Sequence, residues 1–289
     1  MQDVKAKYPH INIVISVGGW GADGFSEAAS TDDKRAVFAK SIALFVRKHG
    51  FDGVDLDWEY PCIDVAGIEA RKEDRTNFTK LLEAVRAELD ELEKVESRKL
   101  MMTIAVGAGD WFVDVVEIAK IEPLLDYMYV MTYDFFNGGC HRTDHHTNLY
   151  EGDKTRNSVV QSIELFYHAG VPKNKLVIGA GFYGRGFQKV ASSENNGLYE
   201  QGEGAFSISF EQIMDQYTKE NGFKRYWDDK AKAAYLFNGS TFISYDDEKS
   251  TYLKGEYVRV NKLAGAMFWE YGQDRTGRLL RSLRKGILG

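Results

Sequence analysis

Cysteine is nearly absent from this sequence: Cys62 and Cys140 are the only two in 289 residues. They are too few for a disulfide framework and too far apart for a CxxC metal or redox motif, so two free thiols are expected. No apolar run approaches the length that spans a bilayer, and the first ten residues, MQDVKAKYPH, are polar rather than leader-like. The sequence therefore predicts no membrane association and leaves localisation open. It also lacks any lysine or arginine block, and its formal net charge is -6. A nucleic acid or anionic surface has no electrostatic footprint to meet, and neutral or mildly cationic substrates fit better. Internal repeats, low-complexity tracts and flexible linkers are missing too. What remains, 44% hydrophobic and 28% charged, is the profile of a globular enzyme with one large core or two modest ones.

Against that background FDGVDLDWEYP, residues 51–61, stands out. It reads as a buried strand, yet it carries Asp52, Asp55, Asp57 and Glu59. Side chains alternate faces along a strand, so Asp55, Asp57 and Glu59 share one wall while Val54, Leu56 and Trp58 face the other. Burying three such charges as a mere fold element costs several kcal/mol per uncompensated group, by order of magnitude. A working site is the better reading. Aligned carboxylates also suit Mg²⁺ or Ca²⁺, and that alternative ranks lower because of the tryptophans and the MTYD motif described next.

Strand and helix signals alternate along the chain. Strands are expected at NIVISVGGW (12–20), 51–59, 100–107, 126–134, 175–183 and 264–270. Helices are expected from Thr31 to His49, at 76–93, 112–120, 157–169 and 248–260, and from about 275 onward. Such alternation implies a parallel sheet with helical crossovers. Residues 186–245 break the rhythm with a helix near 210–220 and two β-rich runs, AAYLF and TFISY, joined through Asn238-Gly239, a hairpin signal. The expected organisation is a main α/β domain over 1–185 and 246–289, which the family resemblance given below makes a catalytic barrel, with an α+β insertion over 186–245.

Polar and aromatic residues gather at the C-terminal ends of these strands: Ser16, Gly18, Gly19 and Trp20; the acids and Tyr60; Met131, Tyr133 and Asp134; Tyr183 and Arg185; Trp269 and Glu270. In parallel α/β barrels that rim is where sites are built, which predicts one shared pocket. Trp58 reads as core. The glycines of SVGGW are not followed by the lysine and hydroxyl residue of a phosphate loop. His141, His145 and His146 in CHRTDHHTN read as solvated loop residues rather than zinc ligands.

Taken together, SVGGW at 16–20, DGVDLDWEYP at 52–61, MTYD at 131–134, FYGR at 182–185 and MFWE at 267–270 resemble glycoside hydrolase family 18, the chitinases and their relatives. The resemblance covers nearly the whole chain and implies a TIM (β/α)8-type barrel. It makes Glu59 the general acid on the glycosidic oxygen, has Asp57 hold the substrate's N-acetyl group and Asp55 interact with Asp57, and leaves the nucleophilic attack to the substrate's own acetamido oxygen. Tyr133 would hydrogen-bond the acetamido group, Met131 and Asp134 would line the reacting subsite, and Ser16 would support Asp55. Trp269 would floor the sugar and Trp20 would form a platform on the leaving-group side, while Tyr183 and Arg185 would contact hydroxyls. Gly19 and Tyr60 complete the expected substrate-binding set. Chitin or N-acetylglucosamine oligosaccharides are the implied partners, with no cofactor and no metal.

The chain departs from the family at its start: only six of the eight barrel strands are read, and the first two β/α units are missing. An open barrel exposes hydrogen-bonding edges, so the chain alone is expected to be marginally stable or to associate. FFNGG after Asp134 also lacks a tryptophan that many relatives carry nearby. Besides hydrolysis, two readings stay open: a catalytically silent chitinase-like lectin, and an inert fragment. Retention of Glu59, Asp57 and Asp55 favours the enzyme.

Overall fold

The computed structural model describes residues 2–289, which fall into two compact units, residues 2–129 with His168–Val171, and Val130–Tyr167 with Pro172–Gly289.

The first unit begins with α1 (Gln2–Lys7), followed by β1 (Ile15–Gly18), α2 (Phe25–Ala29), α3 (Asp32–His49), β2 (Gly53–Asp57), α4 (Asp74–Glu96), β3 (Met101–Gly107), α5 (Asp110–Val113), α6 (Ile118–Ile121) and the start of β4 (Tyr127–Met131). Strands β1, β2 and β3 pair in parallel in that order, with Ser16 beside Asp55 and Asp55 beside Thr103. The sequence of α3 contains its own boundaries. Thr31 caps it by accepting from Lys34 N, Asp32 and Asp33 occupy the first turn, and Arg47 to His49 the last. Gly50 stops it in the left-handed region at φ 69°. Its inner face, Ala39, Ile42, Ala43 and Val46, is buried, as are Phe78, Leu81, Leu82, Val85 and Leu89 of α4. Trp58 lies in this core, stacked on Phe25 with ring centroids 5.4 Å apart. Strand β1 pairs only with β2 among the described residues, and its residues alternate half-buried and exposed where those of β2 are nearly all buried. It is an open edge.

The helix expected over 112–120 is instead two single turns, α5 and α6. The β-branched run Val113, Val115 and Val116 and the polar Asp114 favour a break over a continuous helix.

The second unit continues from β4 through α7 (Val159–His168), β5 (Leu176–Gly181), β6 (Tyr183–Gln188), β7 (Glu203–Ser209), α8 (Phe210–Gln216), β8 (Lys224–Asp228), β9 (Ala233–Phe237), β10 (Phe242–Tyr245), α9 (Glu248–Asn261), β11 (Gly265–Trp269) and α10 (Arg278–Leu288). Parallel β5 and β11 run in register from Val177 and Gly265 to Gly181 and Trp269. A separate antiparallel sheet has the order β7-β6-β10-β9-β8. Its hairpin β9–β10 turns at Asn238, whose Oδ1 accepts from Ser240 N and Thr241 N, with Gly239 at φ 97°. Strand β6 belongs to this sheet, so Tyr183 and Arg185 stand on the antiparallel strand that leaves the end of β5.

Among the described residues, six parallel strands joined by helical crossovers, β1, β2, β3, β4, β5 and β11, are elements of a TIM-type barrel.

Candidate active site

In the first unit the site grows from β2. Period-two alternation along β2 leaves Val54 and Leu56 in the core and turns Asp55 and Asp57 to the other face, with Trp58 buried just past its end, while Glu59, two residues beyond the strand, lies near enough for its charge to reach Asp57. Asp55 is buried, and both its oxygens are satisfied: Ser16 Oγ donates to Oδ2 at 2.8 Å and Thr103 Oγ1 to Oδ1 at 2.7 Å. Burial still raises its pKa, although the two hydroxyl bonds oppose the shift. Asp57 differs: among the described residues its buried Oδ1 has no hydrogen-bond partner, and burial, then the charges of Glu59 and Asp55, push its carboxyl up to about 7. Tyr129, next to Asp55 and Thr103, has its phenol pKa raised, by burial first and then by the Asp55 charge.

The double glycine after β1 has a backbone reason. Gly18, at φ 122°, lies so close to Asp57 that a Cβ would sit 2.0 Å from the Asp57 carbonyl oxygen, and Gly19 N donates to that same oxygen at 2.8 Å. The loop bearing Trp20 is thereby fastened to the acid strand. Trp20 is 66% exposed. Its ring meets Tyr60 edge-on, and Tyr60 in turn meets Trp111, with ring centroids 6.5 and 4.9 Å apart. Trp111 lies against Gly107 and Gly109, where a Cβ would come within 2.2 and 2.3 Å of its ring.

In the second unit Asp134, at φ 58°, is the hub. Tyr183 Oη and Arg185 Nε donate to its Oδ1 at 2.8 and 2.7 Å, and Arg185 Nη2 donates to Oδ2 at 2.5 Å. Although burial opposes it, the neighbouring His146 and Arg185 hold the Asp134 carboxyl well below the usual carboxylate range. Tyr133 is set by the residue before it: Thr132 Oγ1 donates to Gly179 O and accepts from Gly179 N. Its ring passes where a Cβ on Gly179 would be, 2.7 Å away, and its hydroxyl points at Met267 Sδ, 3.9 Å off. Met131 ends β4, half-buried, and Trp269 ends β11, 56% exposed. The Glu59-Tyr60 and Trp269-Glu270 peptide bonds are cis.

Among the residues expected in the site, Ser16, Gly19, Trp20, Asp55, Asp57, Glu59 and Tyr60 belong to the first unit, and Met131, Tyr133, Asp134, Tyr183, Arg185 and Trp269 to the second. Thr103, Tyr129 and Trp111 were not anticipated. Thr103 had a faint signal, a lone hydroxyl in the apolar run LMMTIAVG one strand over from the acids. The histidines correct the sequence reading. His141 is exposed, but His145 and His146 are fully buried, because His145 Nε2 pairs with Asp228 Oδ2 at 3.0 Å from 83 residues away and His146 packs on Tyr183.

A sequence model of the Glycosyl hydrolases family 18 matches residues 1–274. Chitinase A1 of Niallia circulans is 38% identical over 309 aligned positions, covering 99% of this chain and 44% of that protein. The chain spans between 40% and 64% of the curated relatives it matches. Among solved structures, a family 18 N-acetylglucosaminidase from Paenibacillus barengoltzii superimposes with a TM-score of 0.96 at 48% identity, covering 99% of this chain and 85% of that one. A class V chitinase from Nicotiana tobaccum in complex with NAG4 gives 0.88 at 26% identity, covering 99% and 83%.

Proposed function

The chain belongs to glycosyl hydrolases family 18, and from that premise we propose that it hydrolyses β-1,4 linkages in chitin or related N-acetylglucosamine polymers, with retention of configuration. The observation that carries the reading is Asp57, a carboxyl pushed up to about 7 between Asp55 and Glu59 on one strand face. Burial raises both Asp55 and Asp57 on that face, and a carboxyl that can hold a proton near neutral pH is what acid chemistry there needs.

In this reading Glu59 protonates the leaving glycosidic oxygen while the substrate's acetamido carbonyl oxygen attacks C1 and closes an oxazolinium ring. Asp57, backed by Asp55, holds the acetamido N–H and balances the positive charge as it develops. Water then opens the ring from the opposite face, giving its proton to Glu59. Two displacements leave the β configuration. Tyr133 would bond the acetamido group, Met131 and Asp134 would line the reacting sugar, and Tyr183 and Arg185 would meet hydroxyls. Pyranose rings present apolar faces that pack on flat aromatics, so Trp269 and Trp20 serve as platforms, and the exposed, glycine-cradled Trp111 joins them. Residues 186–245 would form the insertion that accompanies the barrel.

The test is Glu59→Gln. Hydrolysis of N-acetylglucosamine oligomers should fall by at least about two orders of magnitude while oligomer binding persists. A variant that turns over near the unmodified rate contradicts the assignment.

A further inference from the structure

His146 takes no part in the chemistry above, yet it is fully buried and, among the described residues, neither ring nitrogen has a hydrogen-bond partner. A buried polar group without partners carries a desolvation cost that folding does not repay. The surroundings show that its place is fixed rather than accidental. Its backbone N donates to Ser244 Oγ at 2.9 Å, and its carbonyl accepts from Phe135 N, the residue after Asp134. Its ring packs against Tyr183 with centroids 5.1 Å apart, and Gly181 leaves it room, since a Cβ there would lie 2.8 Å from Cε1. In that place Nδ1 stands 3.8 Å from Asp134 Oδ1, a little too far for a hydrogen bond.

Among the described residues, the side chains that hydrogen-bond the Asp134 carboxylate are Tyr183 and Arg185, with His146 the next neighbour. Tyr183 and Arg185 are the groups assigned above to substrate hydroxyls, so the inference rests on that reading. When a sugar competes for the Tyr183 hydroxyl or the Arg185 guanidinium, Asp134 loses donors. We propose that His146 is a positioning residue for Asp134: a neutral imidazole with its hydrogen on Nδ1, which closes the 3.8 Å gap and supplies the donor that substrate withdraws. No proton is transferred, and Nδ1–H only lends a hydrogen bond. The charges that reach the ring are Asp134, Asp246 and Lys254, and burial outweighs the two carboxylates to lower the imidazole pKa. Asp246 and Lys254 are themselves locked together at 2.5 Å, with Asp246 also accepting from Gly181 N.

Two variants separate positioning from packing. His146→Asn keeps an N–H donor near the Nδ1 position, and His146→Leu fills the space without one. With N-acetylglucosamine oligomers, His146→Leu should lose about tenfold in kcat/KM, the worth of one buried hydrogen bond to a charged group, and His146→Asn should recover most of it. Packing alone predicts the opposite order, Leu equal to or better than Asn, and that result overturns the proposal. Should His146→Leu not fold, ¹⁵N-resolved histidine NMR of the unaltered chain decides, with the His146 signals assigned by their loss in His146→Asn. The expected spectrum at pH 7 is a neutral ring protonated on Nδ1. A ring protonated on Nε2 alone, or a cationic ring, overturns the proposal. An unaltered chain that hydrolyses no such oligomer would refute the functional reading while leaving the NMR result to stand or fall by itself.

Discussion

Asp55 and Asp57 point the same way from one strand but live differently: Asp55 has a hydroxyl on each oxygen, whereas Asp57 Oδ1 has none among the described residues and its carboxyl is pushed up to about 7. Same strand, same face, unlike partners: the division of labour among the acids starts there.

Asp57→Asn should make the protein more stable at neutral pH while abolishing hydrolysis. Below the ordinary carboxylate value of 3.8 Asp57 is protonated in both folded and unfolded chains. Between 3.8 and about 7 the unfolded chain releases a proton that the folded one keeps, so rising pH works against folding across that window. Removing the carboxyl should gain on the order of 2–4 kcal/mol at pH 7.5 and close to nothing at pH 3.5. Urea unfolding at the two pH values checks both magnitude and sign, and an equal effect at both would show that Asp57 is not destabilised by its charge.

Thr103→Val should cost roughly 1–3 kcal/mol, because Asp55 Oδ1 would lose its donor inside the core. Thr103→Ser should stay near the unmodified protein. Thermal melts of the pair at pH 7 are sufficient, and a Val variant that matches Ser would mean that the bond contributes nothing net.

Gly107→Ala should disturb binding of long oligomers more than short ones. Its Cβ would stand 2.2 Å from the Trp111 ring and drive the indole off its bed. The predicted signature is a several-fold rise in KM for hexamers, little change for dimers, and no additivity with Trp111→Ala. Additive losses would place the effect of Gly107 somewhere other than Trp111.

Much of this was legible because strand periodicity is simple. The run 51–61 announces both its core face and its acid face, and the alternation of strands with helices announces the parallel sheet. The parts that were not legible depend on contacts between residues far apart in sequence. Thr103 matters through register with Asp55, 48 residues away. His145 and His146 resemble solvated loop residues until Asp228 and Tyr183 are placed beside them. Tyr183 and Arg185 read as the end of a parallel strand, and they lie instead on β6, whose antiparallel partners, Ser207 to Ser209 on β7 and Ser244 and Tyr245 on β10, are set by tertiary pairing. The short helices 110–113 and 118–121 look like one helix until the β-branched residues between them are weighed.

The central claim is that the substrate's acetamido group, not a metal-bound water or an enzyme carboxylate, attacks the anomeric carbon. The most direct measurement is the anomeric proton spectrum of the first product formed from an N-acetylglucosamine oligomer, recorded with and without a chelator, with a non-acetylated glucosamine oligomer in parallel. The account predicts an initial β product, a rate indifferent to the chelator because on the proposed mechanism Glu59 would donate the proton and Asp57 would balance the charge, and a poor response to the non-acetylated chain. An initial α product, or activity that disappears on chelation and returns with a divalent ion, would contradict it.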